Sequence, residues 1–270
     1  MAIVTISRES GSGGEEIARA VAKKLGYEYV SKESIYKEIE EHGKKWLEWV
    51  ADLDEHAPTV WERFDKSYAA YLALVEHCIY KHASKNNVVI LGRGGNWLLK
   101  EVPFALRVRI IASAEDRARK LSERLGLDME TARKKLKFRD HERFVYLQRA
   151  YHRDWSNPND YDMTLNTSHM GNDESVDRIL AEIPGRDRFA TPENLEKVRR
   201  LELASRVKAD IITRFPLFIP TLEVVHDGTA IVLRGVALCT SEQLVSLLET
   251  AKTSAGTARI KSELTPRGTM

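Results

Sequence analysis

The chain has 270 residues, 43% of them apolar and 30% charged, which is ordinary for a globular protein with room for one large domain or two modest ones. Its 42 Lys and Arg residues nearly balance its 40 Asp and Glu residues, and this net charge of +2 argues against a protein built mainly to bind nucleic acid. A cytoplasmic protein is predicted, because Cys78 and Cys239 fit neither a disulfide framework nor a metal-binding spacing, the apolar start is too short for a signal peptide, and no apolar run reaches membrane-spanning length.

The first predicted elements are a strand, a glycine-rich turn and a helix. Residues 3–6 are apolar and lead into Ser and Gly residues at 10–14. Ile17, Val21 and Leu25 then recur on one helix face, and Gly26 is a plausible helix stop. Strand, glycine turn and helix in this order form half of a βαβ unit.

Further strands and helices alternate up to residue 183. Strands are predicted at 88–91, 107–111 and 161–166, and helices at 32–84, 113–126, 128–154 and around 176–183. This alternation predicts an α/β fold, a mainly parallel sheet with helices on both faces. Ligands bind such sheets at the carboxyl ends of the strands, where the glycine-rich turns after Ile6 and Leu91 both lie.

The composition changes at Pro184, which predicts domains at 1–183 and 194–264, a linker at 184–193 and a tail at 265–270. The second domain is expected to be a small α+β domain with the order αββαβ. Asp227-Gly228 predicts its hairpin, and Thr240 with Gln243 predicts a capping box at the start of its second helix.

The glycine-rich turn at 10–14 has the composition of a phosphate-binding loop, because glycine lets backbone N–H groups approach an anion at a helix N-terminus. It departs from the strict P-loop pattern, since Arg8 takes the first glycine position and Gly14 replaces the lysine. Glu15 and Glu16 follow, and their charges should repel a triphosphate unless a metal or an arginine such as Arg8 intervenes. The alternative is a turn that only starts a helix, with the two acidic residues complementing the helix dipole.

The string TISRESGSGGEEI at residues 5–17 resembles the opening of the cytidylate kinase-like family, whose members are relatives of the nucleoside monophosphate kinases. In that family the lysine is also commonly absent, whereas Glu15 departs from it because members often carry a basic residue there. The resemblance covers residues 2–183. It continues with YVSKESIYKE at 29–38, VVILGRGG at 88–95, the lid motif Arg139-Asp140 with Arg143, and YDMTLNTS at 161–168.

This resemblance implies a P-loop NTPase-like fold with a helical lid, and ATP and Mg²⁺ as cofactors, the metal held largely by phosphate oxygens and water. It implies a part in binding ATP and its Mg²⁺ for Arg8, Ser10, Gly11, Ser12, Gly13, Gly14 and Glu16. It implies binding of the acceptor monophosphate for Tyr36, Gly92, Arg93 and Gly94, and catalytic roles in the lid for Arg139, Asp140 and Arg143. No residue is assigned as a metal ligand.

Several readings stay open at this point. Arg93 could instead cap a helix or form an ion pair, and most of the basic tract from 133 to 153 could be a solvated charged face. Asp140 could orient an arginine or the acceptor. Five aromatic residues could line a base pocket or belong to the core: Trp46, Trp49, Trp61, Tyr68 and Tyr71.

Residues 194–264 loosely resemble a BON domain in their element order and in Asp227-Gly228 with Arg234-Gly235. That resemblance implies that the second domain binds a phospholipid or a small ligand.

The resemblance of residues 2–183 to the cytidylate kinase-like family supports an ATP-dependent kinase acting on CMP, dCMP or a related pyrimidine monophosphate. Gly14, Glu15 and the fused module support the alternative, a non-catalytic nucleotide sensor that signals through the second domain. A third reading uses the basic lid to bind nucleic acid.

Overall fold

The structure is a computed structural model and describes residues 1–43, 66–215 and 221–267. The chain divides into two compact units. The first contains Met1–Tyr36 and Lys85–Asn194, and the described part of the second contains 37–43, 66–84, 195–215 and 221–267. Trp46, Trp49 and Trp61 lie outside the described residues, so their predicted roles stay open.

The first unit is built on a parallel sheet of five strands in the order β2-β3-β1-β4-β5. The strands are β1 Ile3–Arg8, β2 Glu28–Val30, β3 Val88–Leu91, β4 Ala105–Ile111 and β5 Met163–Asn166. In the central register, Ile6 lies beside Leu91 on one neighbouring strand and Val108 on the other, and all three side chains are buried. The predicted parallel sheet is confirmed, and the two glycine-rich turns lie together at its carboxyl edge.

The helices of the described residues are, in chain order, α1 Gly14–Leu25, α2 Lys32–Glu41, α3 Lys66–Ser84, α4 Gly95–Leu98, α5 Ala114–Leu125, α6 Met129–Tyr151, α7 Asn172–Asp187, α8 Pro192–Arg214 and α9 Ser241–Ala255. One sheet face packs against α1 and α7 through buried residues such as Ile17 and Ile179. On the other face α4 begins at Gly95, where an added Cβ would lie 3.4 Å from the side chains of both Thr5 and Ile90. Helices therefore cover both faces, as predicted.

Helix ends in the first unit follow their sequence signals. Gly26 and Gly126 end α1 and α5 in the left-handed region, at φ of 65° and 63°. The Ser113 side chain accepts a hydrogen bond from the backbone N–H of Asp116 at the start of α5. These boundaries are confirmed.

Two features of the first unit differ from the sequence-based expectation. The three-residue strand β2 is too short to show an alternating pattern, and it forms because β3 offers an edge to pair with. The linker predicted from Pro184 is wrong at its start, because α7 continues to Asp187. A proline inside a helix removes one backbone hydrogen bond, and the helix continues because Ile179 and Ile183 anchor its apolar face in the core. The division of the chain into domains at residues 183 and 194 stays a prediction.

The second unit contains a three-stranded sheet in the order β6-β7-β8, formed by β6 Glu223–His226, β7 Ile231–Leu238 and β8 Ile260–Arg267. Strands β6 and β7 are antiparallel, whereas β7 and β8 are parallel. The predicted order αββαβ, the hairpin at Asp227 and the capping box at Thr240 are confirmed. Hydrogen bonds from the backbone N–H groups of Thr229 and Ala230 lower the pKa of Asp227 to about 2.

Helix α3 belongs to the second unit, where Lys208 on α8 lies 2.8 Å from Glu76 on α3. Tyr68 and Tyr71 are buried on α3, which favours the core reading for these two aromatic residues. Across the described ranges, every helix is too short or too polar to cross a membrane. The resemblance to a BON domain stays a prediction.

Candidate functional site

The glycine loop between β1 and α1 is held in place by buried hydrogen bonds. The Ser12 hydroxyl, fully buried, donates to the carbonyl oxygens of Glu9 and Ile110, and the Thr167 hydroxyl donates to the Ser12 carbonyl. Gly11 and Gly13 have φ of 79° and 82°, a region that side-chain-bearing residues avoid. Ser12 is therefore an anchor of the loop, and its hydroxyl does not face a cavity.

Arg8, at the end of β1, packs over Gly14 and reaches Gly92. A Cβ added at Gly14 would lie 2.4 Å from Cβ of Arg8, and one added at Gly92 would lie 2.2 Å from Nη1 of Arg8. Any larger residue at position 14, lysine included, would collide with the Arg8 side chain. Glycine at position 14, where the strict P-loop has lysine, is thus required by the packing of the Arg8 side chain against it.

A cavity of about 200 Å³, the arginine cavity, lies at the carboxyl edge of the sheet. Its cationic lining residues are Arg8, Lys32, Arg93, Arg139 and Arg143. Gly92 and Gly94 also line it, so the predicted acceptor turn faces this space.

Arg93 is fixed by aromatic neighbours. Its guanidinium carbon lies 5.0 Å from the centroid of the Tyr36 ring and 4.9 Å from that of Tyr146, and the guanidinium donates a hydrogen bond to the Tyr36 hydroxyl. The Tyr151 hydroxyl donates to the Arg93 carbonyl at 2.6 Å, which supports a backbone with φ of 54°. Tyr36 holds Arg93 and is not itself part of the lining.

Three cations of this cavity, Arg8, Lys32 and Arg143, have lowered pKa values. Burial, together with the charge of Arg8, lowers the pKa of Arg143 to about 9. Burial and the charge of Arg93 lower the pKa of Lys32 to about 8, and they also lower the pKa of Arg8. Like charges held together in this way repel, and a bound dianion such as a phosphate monoester would relieve the repulsion.

A second cavity, the glycine-loop cavity, has a volume of about 260 Å³. It is lined by the predicted loop residues Arg8, Ser10, Gly11, Gly13, Gly14 and Glu16. Lys120 and Arg124 from α5 also line it, four residues apart on one helix face, and the sequence analysis missed both. Arg8 and Arg143 line both cavities, so these two residues stand where the cavities meet.

The lid helix α6 is tied to the glycine loop. The Arg143 guanidinium donates to the Arg8 carbonyl at 2.8 Å. The Asp140 carboxylate accepts hydrogen bonds from the Ser10 backbone N–H, at 2.9 Å, and from Arg117. Asp140 lines neither cavity, so the geometry favours an orienting role for it over contact with the acceptor.

Sequence reasoning also missed Lys32, Asn96, Glu142 and Tyr146 in the arginine cavity. Glu142 and Tyr146 lie three and seven residues after Arg139, on the same face of α6. That spacing could have found both.

Oxygen ligands for a divalent cation are available at the glycine-loop cavity. Glu15 and Glu16 both line it, and Glu15 pairs with Arg19 at 2.8 Å, which leaves Glu16 as the carboxylate better placed to serve Mg²⁺. In the described ranges, no group of three or more His, Cys, Asp and Glu side chains could hold a metal ion by itself. The residues present fit a metal held mainly by phosphate oxygens and water.

Comparison with known proteins gives consistent matches. The profile of the cytidylate kinase-like family matches residues 3–169. Cytidylate kinase of Ignicoccus hospitalis is 29% identical over 184 residues, 66% of this chain and 97% of that protein, and cytidylate kinase of Halobacterium salinarum is 25% identical over 201 residues, 73% of this chain and 98% of that protein. An uncharacterized protein from Eubacterium ventriosum has a crystal structure that matches with a TM-score of 0.52 and 26% identity, covering 68% of this chain and 98% of that one.

Proposed function

The chain belongs to the cytidylate kinase-like family, and we propose that it transfers the γ-phosphoryl group of ATP to CMP or dCMP. The observation that carries this proposal is the position of Arg8 and Arg143 on the boundary between the two cavities. Phosphoryl transfer needs two phosphates held in line and the neutralisation of charge as it moves between them. Two arginines that line both cavities meet that requirement.

In this proposal the ATP phosphates bind in the glycine-loop cavity, against the backbone N–H groups of the loop and the N-terminus of α1. Lys120 and Arg124 bind the rest of the donor from α5. Mg²⁺, held by phosphate oxygens, water and Glu16, would neutralise charge on the triphosphate. Arg8 takes the place of the missing lysine.

The acceptor monophosphate binds in the arginine cavity, where Arg93 grips two of its oxygens with its planar fork and Lys32 adds a point charge. Arg139 and Arg143 close over the phosphates with the lid helix and exclude water. Asp140 orients this helix on the loop through Ser10 and Arg117.

The test of this function is transfer from Mg·ATP to a panel of ribo- and deoxyribonucleoside monophosphates, with ADP and the diphosphate product separated and counted. We expect CDP or dCDP as the preferred product. Tight nucleotide binding without transfer to any acceptor would favour the sensor hypothesis, which the comparisons do not favour. The cytoplasmic location and a ligand of residues 194–264 remain predictions.

We expect Gly92→Ala to lower kcat by about 10²-fold. Its Cβ would lie 2.2 Å from Nη1 of Arg8 and would force the guanidinium out of its place between the cavities. Loss of one preorganised charge at the transferring group costs about this much. Steady-state kinetics with saturating ATP and CMP provide the measurement.

Gly26→Ala is the matched control for this variant. Gly26 has φ of 65°, close to the 77° of Gly92, but a Cβ there meets no atom within 4 Å among the described residues. Both variants should lose about 1–2 kcal/mol of unfolding free energy through backbone strain, and only Gly92→Ala should lose activity. Equal kcat values in the two variants would show that the position of Arg8 does not matter.

The kcat/KM for the acceptor should fall as pH rises above about 8, the pKa of Lys32 in the free enzyme. Below this pH the ammonium is charged and attracts the phosphate, and above it the charge is lost. Lys32→Arg should remove the limb near pH 8, because a guanidinium has a much higher ordinary pKa than an ammonium and keeps its charge at that pH. An unchanged profile in that variant would assign the limb to another group.

The same lowered pKa makes Lys32 unfavourable for folding. Because the pKa rises from about 8 in the folded chain to its ordinary value of 10.5 on unfolding, the destabilisation is complete below pH 8 and disappears as pH rises from 8 to 10.5. The ligand-free protein should therefore gain stability over that window relative to Lys32→Met, which a series of chemical denaturation curves would measure.

A further inference from the structure

The indole ring of Trp155 lies against two arginines of the first unit. Trp155 follows the lid helix α6, which ends at Tyr151, and it is 7% exposed. Its ring centroid lies 5.8 Å from the guanidinium carbon of Arg143 and 5.5 Å from that of Arg109. A guanidinium within about 6 Å of an indole ring is attracted to it, most strongly where water is excluded. Trp155 therefore contacts the lid arginine that lines both cavities, although it lines neither cavity itself.

The main chain at Trp155 is fixed to the sheet. The Trp155 carbonyl oxygen accepts hydrogen bonds from Nη1 of Arg109 at 2.6 Å and from the Tyr161 hydroxyl at 2.7 Å. Arg109 is a buried residue of β4, and its guanidinium also lies 3.7 Å from the Glu9 carboxylate. Because buried hydrogen bonds are costly to break, the peptide at Trp155 stays in one place. The indole ring is therefore a fixed surface beside the Arg143 side chain.

Arg143 is held without a directly bonded carboxylate among the described residues. Its Nη1 donates to the Arg8 carbonyl, and the Asp140 carboxylate lies 3.9 Å away, beyond hydrogen-bond distance. A carboxylate in direct contact would neutralise the charge that phosphates need, whereas an aromatic ring attracts a cation and leaves its charge in place. We propose that Trp155 is a positioning residue that holds Arg143 at the boundary of the two cavities. This inference rests on the proposed function, in which Arg143 serves the transferring phosphoryl group.

Replacement of Trp155 by leucine keeps an apolar side chain and removes the aromatic ring. We expect Trp155→Leu to lower kcat by about 10- to 30-fold, the effect of one desolvated cation–π contact. Trp155→Phe keeps a ring that attracts cations more weakly, so its kcat should lie between those of wild type and Trp155→Leu. Steady-state kinetics at saturating Mg·ATP and CMP, normalised to the folded fraction, provide the values. An unchanged kcat in Trp155→Leu would overturn the proposal.

A double-mutant cycle with Arg143→Met separates positioning from packing. If Trp155 acts through Arg143, Trp155→Leu should change kcat by less than about threefold in the Arg143→Met background. An equal fall in both backgrounds would overturn the proposal, because Trp155 would then act through packing or through another group.

Tryptophan analogues guard against a leucine variant that folds poorly. Analogues with one, two and three fluorine atoms on the ring, introduced at position 155 alone, nearly keep the shape of the side chain and successively weaken the negative face of the ring. The kcat should fall in the same order, by about tenfold in total. A constant kcat across the series would overturn the proposal.

Phe104→Leu is the matched control, because it also replaces a buried ring by leucine. Phe104 is fully buried at the amino end of the sheet, where its carbonyl accepts a hydrogen bond from the Ile3 backbone N–H at 3.3 Å. The variant should lower the melting temperature through lost packing and leave the kcat of the folded protein unchanged. A fall in kcat equal to that of Trp155→Leu would show that loss of any buried ring has this effect, which would overturn the proposal.

The remaining outcomes separate this inference from the function on which it rests. Turnover by the wild-type protein with independent effects of Trp155→Leu and Arg143→Met would overturn the inference alone. If the wild-type protein transfers no phosphate to any nucleoside monophosphate, the proposed function fails, and calorimetry with CMP on the four proteins of the cycle decides the inference. A loss of affinity in Trp155→Leu that disappears in the Arg143→Met background supports it, and an equal loss in both backgrounds, no loss or no binding overturns it.

Discussion

Arg8→Met is expected to lower kcat by about 10³-fold and to raise the melting temperature of the ligand-free protein at the same time. Arg8 lines both cavities, so its charge lies where the phosphoryl group passes from donor to acceptor. Arginines at this place in phosphoryl transfer are worth about 10³- to 10⁵-fold in kcat. Steady-state kinetics at saturating ATP and CMP measure the first effect.

The gain in stability has an electrostatic cause. Burial and the charge of Arg93 lower the pKa of Arg8. The charged form of Arg8 therefore destabilises the folded, ligand-free protein. Methionine fills a similar space over Gly14 without the charge. If Arg8 is needed for catalysis although its buried charge destabilises the fold, its replacement should give a more stable but inactive protein.

Arg178→Met is the control for Arg8→Met. Arg178 is an exposed residue of α7, paired with Glu174 four residues earlier, and such surface pairs contribute little to stability. We expect neither its kcat nor its melting temperature to change. If Arg8→Met keeps kcat within about threefold of wild type, another residue replaces the lysine.

Arg93→Lys should raise the KM for the acceptor by about 10²-fold and leave the KM for ATP unchanged. The substitution keeps the positive charge but removes the planar fork, which contacts the rings of Tyr36 and Tyr146 and which we propose binds two phosphate oxygens. Arg93→Ala removes the charge as well and should lower kcat/KM for the acceptor by about 10³-fold. Initial rates with each substrate varied at saturating levels of the other give these values.

The two substrates provide the internal control for Arg93. Arg93 lines the arginine cavity and not the glycine-loop cavity, so the loss should be confined to the acceptor. Equal increases in the KM for ATP and for CMP would contradict the assignment of the arginine cavity to the acceptor. An unchanged KM for both would reduce Arg93 to a structural arginine.

The parallel sheet of the first unit could be predicted because local signals were strong, whereas the order of its strands was not predicted. Apolar strands followed by glycine turns, and helices ending at Gly26 and Gly126, are visible in short windows of sequence. Strand β2 depends instead on the pairing edge of β3. The continuation of α7 past Pro184 depends on the packing of Ile179 and Ile183 in the core, which outweighs the local signal of the proline.

The candidate site divides in the same way. The glycine loop and Arg93 could be assigned from motifs, whereas the contact of Arg8 with Gly92 joins residues far apart in the sequence. Ser12 was predicted to bind ATP, and Asp140 to orient either an arginine or the acceptor. The Ser12 hydroxyl hydrogen-bonds within the glycine loop, and Asp140 accepts hydrogen bonds from Ser10 and Arg117, which favours supporting roles for both.

In the proposed function, the two cavities hold donor and acceptor at once on either side of Arg8 and Arg143. Calorimetry with an adenosine and a cytidine joined through their 5′ ends by five phosphates tests it, because this compound spans both cavities only if they are arranged as proposed. We predict a dissociation constant at least about 10²-fold below those of ATP and CMP, with most of the gain lost in Arg8→Met. Binding no tighter than that of ATP alone would contradict the account.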